Sequence, residues 1–322
     1  MTPVPARLGV EHTNTHPSPT PFSMLKSILV HMRTLQLFIE SNLFTFAVPN
    51  TAFGIFGAMA ASILVDAGSH IQPSAVTLLQ RFPLVLLFNV TNLLVFDLAN
   101  QRSEASVLED GINKPWRPIP QGRITMQQTR RLMLVVIPMT LAINYTLGVW
   151  TTGLMINIIT WMYNDLQGGD EPFFRDFIIA IAYGLFNSGS LAVAVGSDAS
   201  LSLLGLTWTV MISGVILTTM QIQDLKDQKG DKTRSRKTMA LFLGDRVSRV
   251  SIVFFVCFWT VACCAFWSKG AVSFIPIAAL GGVVVVRLLL CSLDGDAATW
   301  RWWCLWHASL YTLPLFERIE GC

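Results

Sequence analysis

Residues 201–232 read LSLLGLTWTVMISGVILTTMQIQDLKDQKGDK. About twenty apolar residues, enough for one membrane-spanning helix, run directly into a charged segment. If that segment is helical, its spacing places Asp224, Asp227 and Asp231 on one face. Carboxylates at a membrane surface beside Lys and Arg are suited to holding Mg²⁺ and a diphosphate. This stretch therefore predicts an all-α integral membrane protein with a polar site at a helix end.

The composition limits the class of protein. The mean hydropathy is +0.52, and 52% of the 322 residues are hydrophobic while only 13% are charged. A soluble protein of this length has a larger charged fraction, so membrane lipid is the expected surrounding. The net charge of +3 gives no reason to expect a nucleic-acid partner. The six Cys form no Cys-x-x-Cys pair with a His partner, so zinc is not expected.

Nine apolar runs predict nine transmembrane helices in a single catalytic domain over residues 41–318. The runs lie near residues 42–65, 74–97, 130–149, 150–164, 174–196, 200–222, 248–267, 272–291 and 299–316. Residues 1–22 are rich in Pro, Thr and His and predict a disordered tail. Residues 23–40 carry an apolar stripe, which predicts an amphipathic helix at the membrane interface.

Two loops, which follow the second and sixth runs, contain fourteen of the chain's 23 Lys and Arg. The first holds Arg102, Lys114, Arg117, Arg123, Arg130 and Arg131, and the second holds Lys226, Lys229, Lys232, Arg234, Arg236, Lys237, Arg246 and Arg249. With nine spans, both loops lie on the same side as the N-terminal tail. The positive-inside rule makes that side cytosolic.

Both basic loops also contain acids, and the combination indicates anion and metal chemistry. Mg²⁺ takes oxygen ligands from carboxylates and phosphates, while Lys and Arg contact the remaining phosphate oxygens through charge-assisted hydrogen bonds. Metal and cation charge then stabilise a departing diphosphate as an allylic C–O bond breaks. The alternative is a solvated juxtamembrane surface with no chemical role.

The two loops resemble the motifs of the UbiA superfamily of intramembrane prenyltransferases. The resemblance covers residues 40–316 and is carried by Asp110-x-x-Asn113-Lys114-Pro115-x-Arg117-Pro118-Ile119-Pro120-x-Gly122 and by Asp224-x-x-Asp227-x-x-Gly230-Asp231 with Arg236-Lys237-Thr238. It implies nine transmembrane helices around a central cavity, with the two acidic motifs facing each other at the cytosolic end. Mg²⁺ is the implied cofactor and a prenyl diphosphate the implied substrate. An endoplasmic-reticulum membrane is the natural location for a eukaryotic enzyme of this kind.

The first motif departs from the superfamily's usual Asn-Asp-x-x-Asp-x-x-x-Asp, because its earlier acids fall on Ser106, Arg102 and Ser103. Its shifted form is similar to that of the fungal membrane-bound terpene cyclases within the superfamily. The resemblance implies that the metal ligands are Asp224, Asp227, Asp231 and Asp110, with Glu109 and Asp97 as substitutes. It implies diphosphate contacts from Asn113, Lys114, Arg117, Lys232, Arg236, Lys237 and Asn100. Asp227, Asp231 and Asp110 are then also the catalytic candidates.

Tyr163 is a fourth catalytic candidate, because it closes the fourth apolar run on the cytosolic side. It could contact the diphosphate or abstract a proton, and a simple helix end is the alternative. Other aromatic residues could line a cavity and stabilise a carbocation: Phe53, Phe56, Phe186, Trp161, Trp208 and Phe255. Trp300, Trp302, Trp303 and Trp306 are interpreted as an interfacial aromatic belt.

The expected function is that of a class I type terpene cyclase, which ionises linear farnesyl or geranylgeranyl diphosphate and closes rings within the chain. The alternative is a prenyltransferase that passes the same cation to an aromatic or other acceptor. A third class, a transporter or scaffold, is disfavoured because its charges would lie near the bilayer midplane and not at helix ends. The substrate's chain length, the product's ring system and the oligomeric state stay open.

Overall fold

The computed structural model describes residues 21–66, 72–196, 200–234, 236–267, 271–290 and 295–320. The predicted tail therefore lies almost entirely outside the described residues. The described chain is helical throughout, apart from one isolated bridge between Val65 and Leu201. The α-helices are α1 Pro21–Asn42, α2 Val48–Met59, α3 Ala61–Leu64, α4 Ala75–Gln101, α5 Glu104–Asn113, α6 Met126–Thr146, α7 Trp150–Asn164, α8 Phe174–Val195, α9 Leu203–Thr219, α10 Ile222–Thr233, α11 Met239–Leu243, α12 Asp245–Phe266, α13 Ala271–Leu290, α14 Asp296–Leu310 and α15 Leu313–Glu320.

The protein is an integral membrane protein, as its apolar helices indicate. Within the described residues, four helices are long and apolar enough to cross a bilayer: α4, α8, α12 and the Ser273–Leu290 part of α13. A fifth span is possible if α9 and α10, which meet at a 45° bend, count as one. The number of nine spans stays a prediction, as does the interfacial position of α1.

Side-chain caps begin several of these helices at points that hydropathy does not mark. Ser74, Ser103 and Ser202 each accept a hydrogen bond from the backbone N–H three residues later, and so begin α4, α5 and α9. Thr125 begins α6 with a capping box: its hydroxyl accepts from the Gln128 backbone N–H, and the Gln128 side-chain oxygen accepts from the Thr125 backbone N–H. Two of these caps lie in the first loop of the candidate site: Ser103 begins its helix α5, and Thr125 marks the end of the loop.

Helix α8 is central to the fold and packs against α2, α4, α7 and α9. Its contact with α2 is close because Gly54 lies against the backbone of Ser190, where a Cβ would overlap. Polar groups join the same helices, since Asn89 of α4 donates to the Ser190 hydroxyl at 2.8 Å. Such close, hydrogen-bonded packing holds the wall of the cavity described below.

The Trp-rich helix α14 is a core element, so the predicted interfacial belt is wrong for most of its residues. Trp300 is buried, and Trp303 and Trp306 are 0% exposed. Trp303 donates its indole N–H to Thr219, and Trp306 donates to Thr260, both at 3.0 Å. These two partners satisfy the indole groups inside the protein, where an interfacial Trp would use water.

Candidate active site

A cavity lies where the ends of α4, α7 and α8 approach α5 and α10, and it encloses about 970 Å³ of empty space including its mouth. One end is polar and is lined by Asn42, Asn100, Glu109, Lys114, Arg117, Arg175, Gln223, Asp224, Asp227, Asp231 and Arg236. The remainder is apolar and is lined by Phe46, Leu93, Phe96, Ile156, Ile159, Thr160, Tyr163, Ile178, Ile179, Ala182, Tyr183, Phe186 and Met220. The arrangement suits a ligand with an anionic head and a hydrocarbon tail.

The charged helix α10 brings all three of its aspartates, Asp224, Asp227 and Asp231, to the cavity. Half of its twelve residues are charged, so it lies outside the apolar span of α9. Asn113 attaches it to α5, because the Asn113 side chain accepts from the N–H of Gly230 at 3.0 Å and donates to the carbonyl of Asp227 at 2.9 Å. Asn113 therefore fixes the position of α10. It is not among the described residues that line the cavity.

Arg175, at the start of α8, binds Asp224 in bidentate fashion at 2.8 and 3.0 Å. The same guanidinium also donates a hydrogen bond to a second carboxylate, that of Asp176, at 2.9 Å. Sequence reasoning missed Arg175. The available signal was an Arg-Asp pair at the beginning of an otherwise apolar run, where ionisable side chains are costly unless paired or functional.

Asp227 lies between two lysines, with Lys226 at 2.6 Å and Lys114 at 3.9 Å. Burial acts to raise the pKa of Asp227, but the charges of the two lysines outweigh burial and hold this pKa below its ordinary value. Burial, with the charge of Arg117 nearby, lowers the pKa of Lys114. Asp227 is therefore a persistent carboxylate at the polar end, and Lys114 is a cation facing it.

Asp231 differs from its neighbours because it has no cationic partner in contact. Its side chain is 2% exposed and forms no hydrogen bond or ion pair with any other described residue. Burial, together with the charges of Asp224 and Glu109, raises the pKa of Asp231 to about 8. A cation bound beside Asp231 would stabilise the charged form of this buried carboxyl group.

Glu109 is an acidic residue of the first loop that lines the cavity. It contacts Arg234 and Arg236, each at 3.3 Å, and Asp170 holds the same two arginines at 3.0 and 3.1 Å. Asp170, in the short turn before α8, is a second residue that sequence reasoning did not single out. Arg236 is thereby held at the cavity wall with its guanidinium oriented by two carboxylates.

Several other candidate residues lie behind the wall or outside the cavity. Asp110 binds Arg117 through both of its oxygens, at 2.8 and 2.9 Å, so Arg117 faces the cavity and Asp110 supports it. Burial raises the pKa of Asp110 against the opposing charge of Arg117. Asp97 accepts from Asn42 at 2.7 Å and, within the described chain, does not line the cavity. Lys232 and Lys237 are exposed.

The predicted aromatic residues also divide into those that line the cavity and those that lie elsewhere. Tyr163 and Phe186 line the cavity, joined by Phe46, Phe96 and Tyr183, which sequence reasoning did not single out. Trp161 is 53% exposed, while Phe53 and Trp208 are buried in the core away from the described cavity lining. Phe255 lines a separate groove. Helical periodicity alone does not distinguish the cavity face from a helix-packing face, because both are apolar.

The donor set fits a divalent cation that takes part of its ligands from a bound anion. Within the described part of the chain, no three His, Cys, Asp or Glu side chains lie close enough to hold a metal by themselves. Asp231, buried and unpaired, is the clearest available ligand, with Asp224, Asp227 and Glu109 on the same cavity surface. Oxygen ligands from a phosphate group would complete such a site.

The profile of the UbiA prenyltransferase family matches residues 56–310. This chain belongs to the UbiA prenyltransferase family. It is 29% identical over 303 residues to the fumagillin beta-trans-bergamotene synthase of Aspergillus fumigatus, a match that covers 93% of this chain and 97% of the relative. It is 28% identical over 217 residues to the diterpene cyclase eriG of Hericium erinaceus, which covers 66% and 69% of the two chains.

The fold is that of a UbiA protein. A UbiA homologue from Archaeoglobus fulgidus, solved with GPP and Mg²⁺ bound, superposes with a TM-score of 0.57 at 15% identity. The superposition covers 87% of this chain and 99% of the homologue. The expectation of an all-α membrane fold of UbiA type is confirmed. Membership in the UbiA family supports the cavity between the helices as the candidate active site.

Proposed function

We propose that this UbiA-family protein is a membrane-bound class I type terpene cyclase that acts on farnesyl or geranylgeranyl diphosphate with Mg²⁺ as cofactor. The observation that carries the proposal is the cavity itself, which joins the aspartates of α10 to an aromatic-lined apolar chamber. The similarity to a terpene synthase along nearly the whole of both chains supports it.

The polar end supplies residues for both the metal and the diphosphate. Asp227 and Asp231 hold Mg²⁺ with help from Asp224 and Glu109, all on the cavity surface. Bound Mg²⁺ supplies positive charge that stabilises the departing diphosphate. The cations that face the same space, Lys114, Arg117, Arg175 and Arg236, contact the remaining phosphate oxygens.

The remaining candidates support this site from different positions. Asn100 and Tyr163 line the cavity and can contact the diphosphate directly. Asp110 orients Arg117, Asp97 orients Asn42, and Asn113 fixes α10. The exposed Lys232 and Lys237 attract the anionic substrate to the membrane surface.

The apolar chamber determines what happens to the allylic cation. Phe46, Phe96, Tyr163, Tyr183 and Phe186 present aromatic rings that stabilise positive charge, each by about 0.5–2 kcal/mol. The same rings exclude bulk water, which would capture the cation before ring closure.

The test is incubation of membranes containing the protein with Mg²⁺ and farnesyl or geranylgeranyl diphosphate alone, followed by gas chromatography–mass spectrometry. We expect a cyclic hydrocarbon that disappears in Asp227→Ala. The control is Asp66→Ala, an exposed aspartate at the far end of the bundle from α10, which should leave the product unchanged. Product from Asp227→Ala at the wild-type level would contradict the proposal.

A prenyltransferase is the second candidate, because the family as a whole carries that description. It would use the same polar end and pass the cation to an acceptor. Release of diphosphate only when an acceptor is supplied, with no hydrocarbon in its absence, would favour this alternative.

We propose an endoplasmic-reticulum location with both motif loops in the cytosol and membrane lipid around the spans. The concentration of Lys and Arg in these loops supports the orientation. A cytosolic mouth would give the cavity direct access to soluble prenyl diphosphates.

A further inference from the structure

At the end of the apolar chamber away from α10 lies a cluster of buried side chains whose polar groups the proposed chemistry does not use. It consists of Tyr183 and Asn187 on α8, His307 on α14 and Tyr311, which follows α14. All four are 2% exposed or less. Tyr183 lines the cavity eight residues after Arg175, which is about 12 Å deeper along the helix axis. We refer to these four residues as the deep polar cluster.

Aromatic contacts hold the cluster against the cavity wall. Phe46, a cavity residue, meets the Tyr183 ring edge-on with the ring centroids 4.6 Å apart. On the other side, Tyr183 meets the His307 ring edge-on at 5.8 Å. Trp303 stacks on His307 at 5.1 Å with the ring planes 4° apart, which fixes the plane of the imidazole. Tyr183 therefore separates the cavity from His307.

Three polar atoms in the cluster have no hydrogen-bond partner among the described residues: the Tyr183 hydroxyl oxygen and both amide atoms of Asn187. Asn187 is one helical turn from Tyr183, so both side chains lie on the same face of α8. The Asn187 amide lies beside the Tyr311 hydroxyl without completing a hydrogen bond, and that hydroxyl lies 3.1 Å from Nε2 of His307. Buried polar atoms nearly always have partners, and two to four such groups suffice to bind a water.

We propose that the deep polar cluster binds a water molecule that accepts the proton lost in the last step of cyclisation, an inference that rests on the proposed function. The C–H bond next to the final carbocation breaks, and its electron pair forms the double bond of the product. The proton passes to the hydroxyl of Tyr183, which lines the cavity, and that hydroxyl gives its own proton to the water. The water in turn gives a proton to the Tyr311 hydroxyl. The hydroxyl's own proton moves to Nε2 of His307, so the water is regenerated and the charge rests on the imidazole.

The energetics of this transfer are favourable even for a buried imidazole, because a carbocation is a much stronger acid than imidazolium. The competing proton acceptor is the released diphosphate, which would lie at the polar end beside Asp227 and Asp231. The two acceptors predict different positions of proton loss, since they lie at opposite ends of the chamber.

The test uses Tyr183→Phe and Asn187→Leu, each of which removes a buried polar group that lacks a partner. Such replacements are nearly neutral for stability or stabilise the fold. The matched control is Asn157→Leu on α7, whose amide bonds to Gly153 of its own helix at 2.8 Å and which is not among the described cavity-lining residues. Each protein is incubated with Mg²⁺ and the prenyl diphosphate that the wild type converts, and both released diphosphate and product composition are measured.

We expect diphosphate release in Asn187→Leu to stay close to the wild-type rate, because ionisation takes place at the other end of the cavity and Asn187 is not among the described cavity-lining residues. The share of the main hydrocarbon should fall by about tenfold or more, with isomeric alkenes in its place. Asn157→Leu should change neither quantity. An unchanged product composition in Tyr183→Phe and Asn187→Leu would overturn this inference and leave the proposed function standing. If the wild type forms no hydrocarbon, the proposed function and this inference fall together.

Discussion

At the residue scale, Asp231 is a buried carboxyl group without a cationic partner among the described residues, as the proposed Mg²⁺ site requires. Its pKa is raised from 3.8 to about 8 by burial and by neighbouring carboxylates, so the folded state binds a proton more tightly than the unfolded chain does. Stability therefore falls as the pH rises from about 4 to about 8, because the unfolded state releases that proton first. In detergent with a chelator present, the thermal unfolding midpoint of the wild type should decrease across this range, and Asp231→Asn should flatten the decrease. An equally steep decrease in the variant would contradict this assignment.

Cation binding at the same residue gives a separate prediction. At about pH 7.5, Mg²⁺ with inorganic diphosphate should raise the unfolding midpoint of the wild type, because a ligand that binds only the folded state stabilises it. Asp231→Asn should lose most of that increase. Asp66→Ala, which removes a distant exposed carboxylate, should retain it. Equal increases in all three proteins would mean that the ions bind elsewhere.

The residues that sequence reasoning found and those it missed differ in how local their signal is. Asp224, Asp227 and Asp231 lie within eight residues of one another, so helical spacing alone places them on one face. Arg175 and Asp224 are 49 residues apart, and Asp170 reaches Arg236 across 66. Contacts over such separations depend on how distant segments of the chain come together in the fold, which no local pattern specifies. Asp110 and its partner Arg117 belong to one loop, but the sequence did not show that Arg117 lines the cavity and Asp110 does not.

At the element scale, the junction between α5 and α10 depends on one glycine. A Cβ at Gly230 would overlap the amide of Asn113, whereas Gly111, on α5, has open space around the same position. Gly230→Ala should therefore displace α10, destabilise the protein by about 1–3 kcal/mol and remove activity. Gly111→Ala should stabilise it by about 0.5–1 kcal/mol and leave activity intact, because alanine favours the helix. Thermal unfolding and product formation measured on both variants check this pair, and an active, stable Gly230→Ala would show that the junction is adaptable.

Helix positions were easier to predict than helix faces. Hydropathy located every long helix to within several residues, because about twenty apolar residues are needed to cross a bilayer. It gave no information on which side of α14 meets lipid, so Trp303 and Trp306 were expected at an interface and lie in the core. The hydroxyl groups of Thr219 and Thr260, on neighbouring helices, accept hydrogen bonds from these indole groups and so allow them to be buried. That partner is recognisable only after the helices are packed.

At the scale of the whole molecule, the two ends of the bundle should lie on opposite sides of the membrane. The chain places α10 and the first motif loop at one end and the exposed Asp66 at the other, where Asp66 pairs its backbone with Ser200. One span, α4, separates Asp66 from the first motif loop, so the proposed cytosolic position of the basic loops predicts a lumenal Asp66. Single substitutions Lys232→Cys and Asp66→Cys place a reactive thiol at each end, and the wild type controls for the native cysteines. In sealed microsomes, a membrane-impermeant maleimide should label Lys232→Cys at once and Asp66→Cys only after detergent is added. Labelling of Asp66→Cys alone in intact microsomes would mean that the orientation is inverted and that the cavity does not open to the cytosol. Labelling of both variants would mean that both ends face the cytosol and that the span count is wrong.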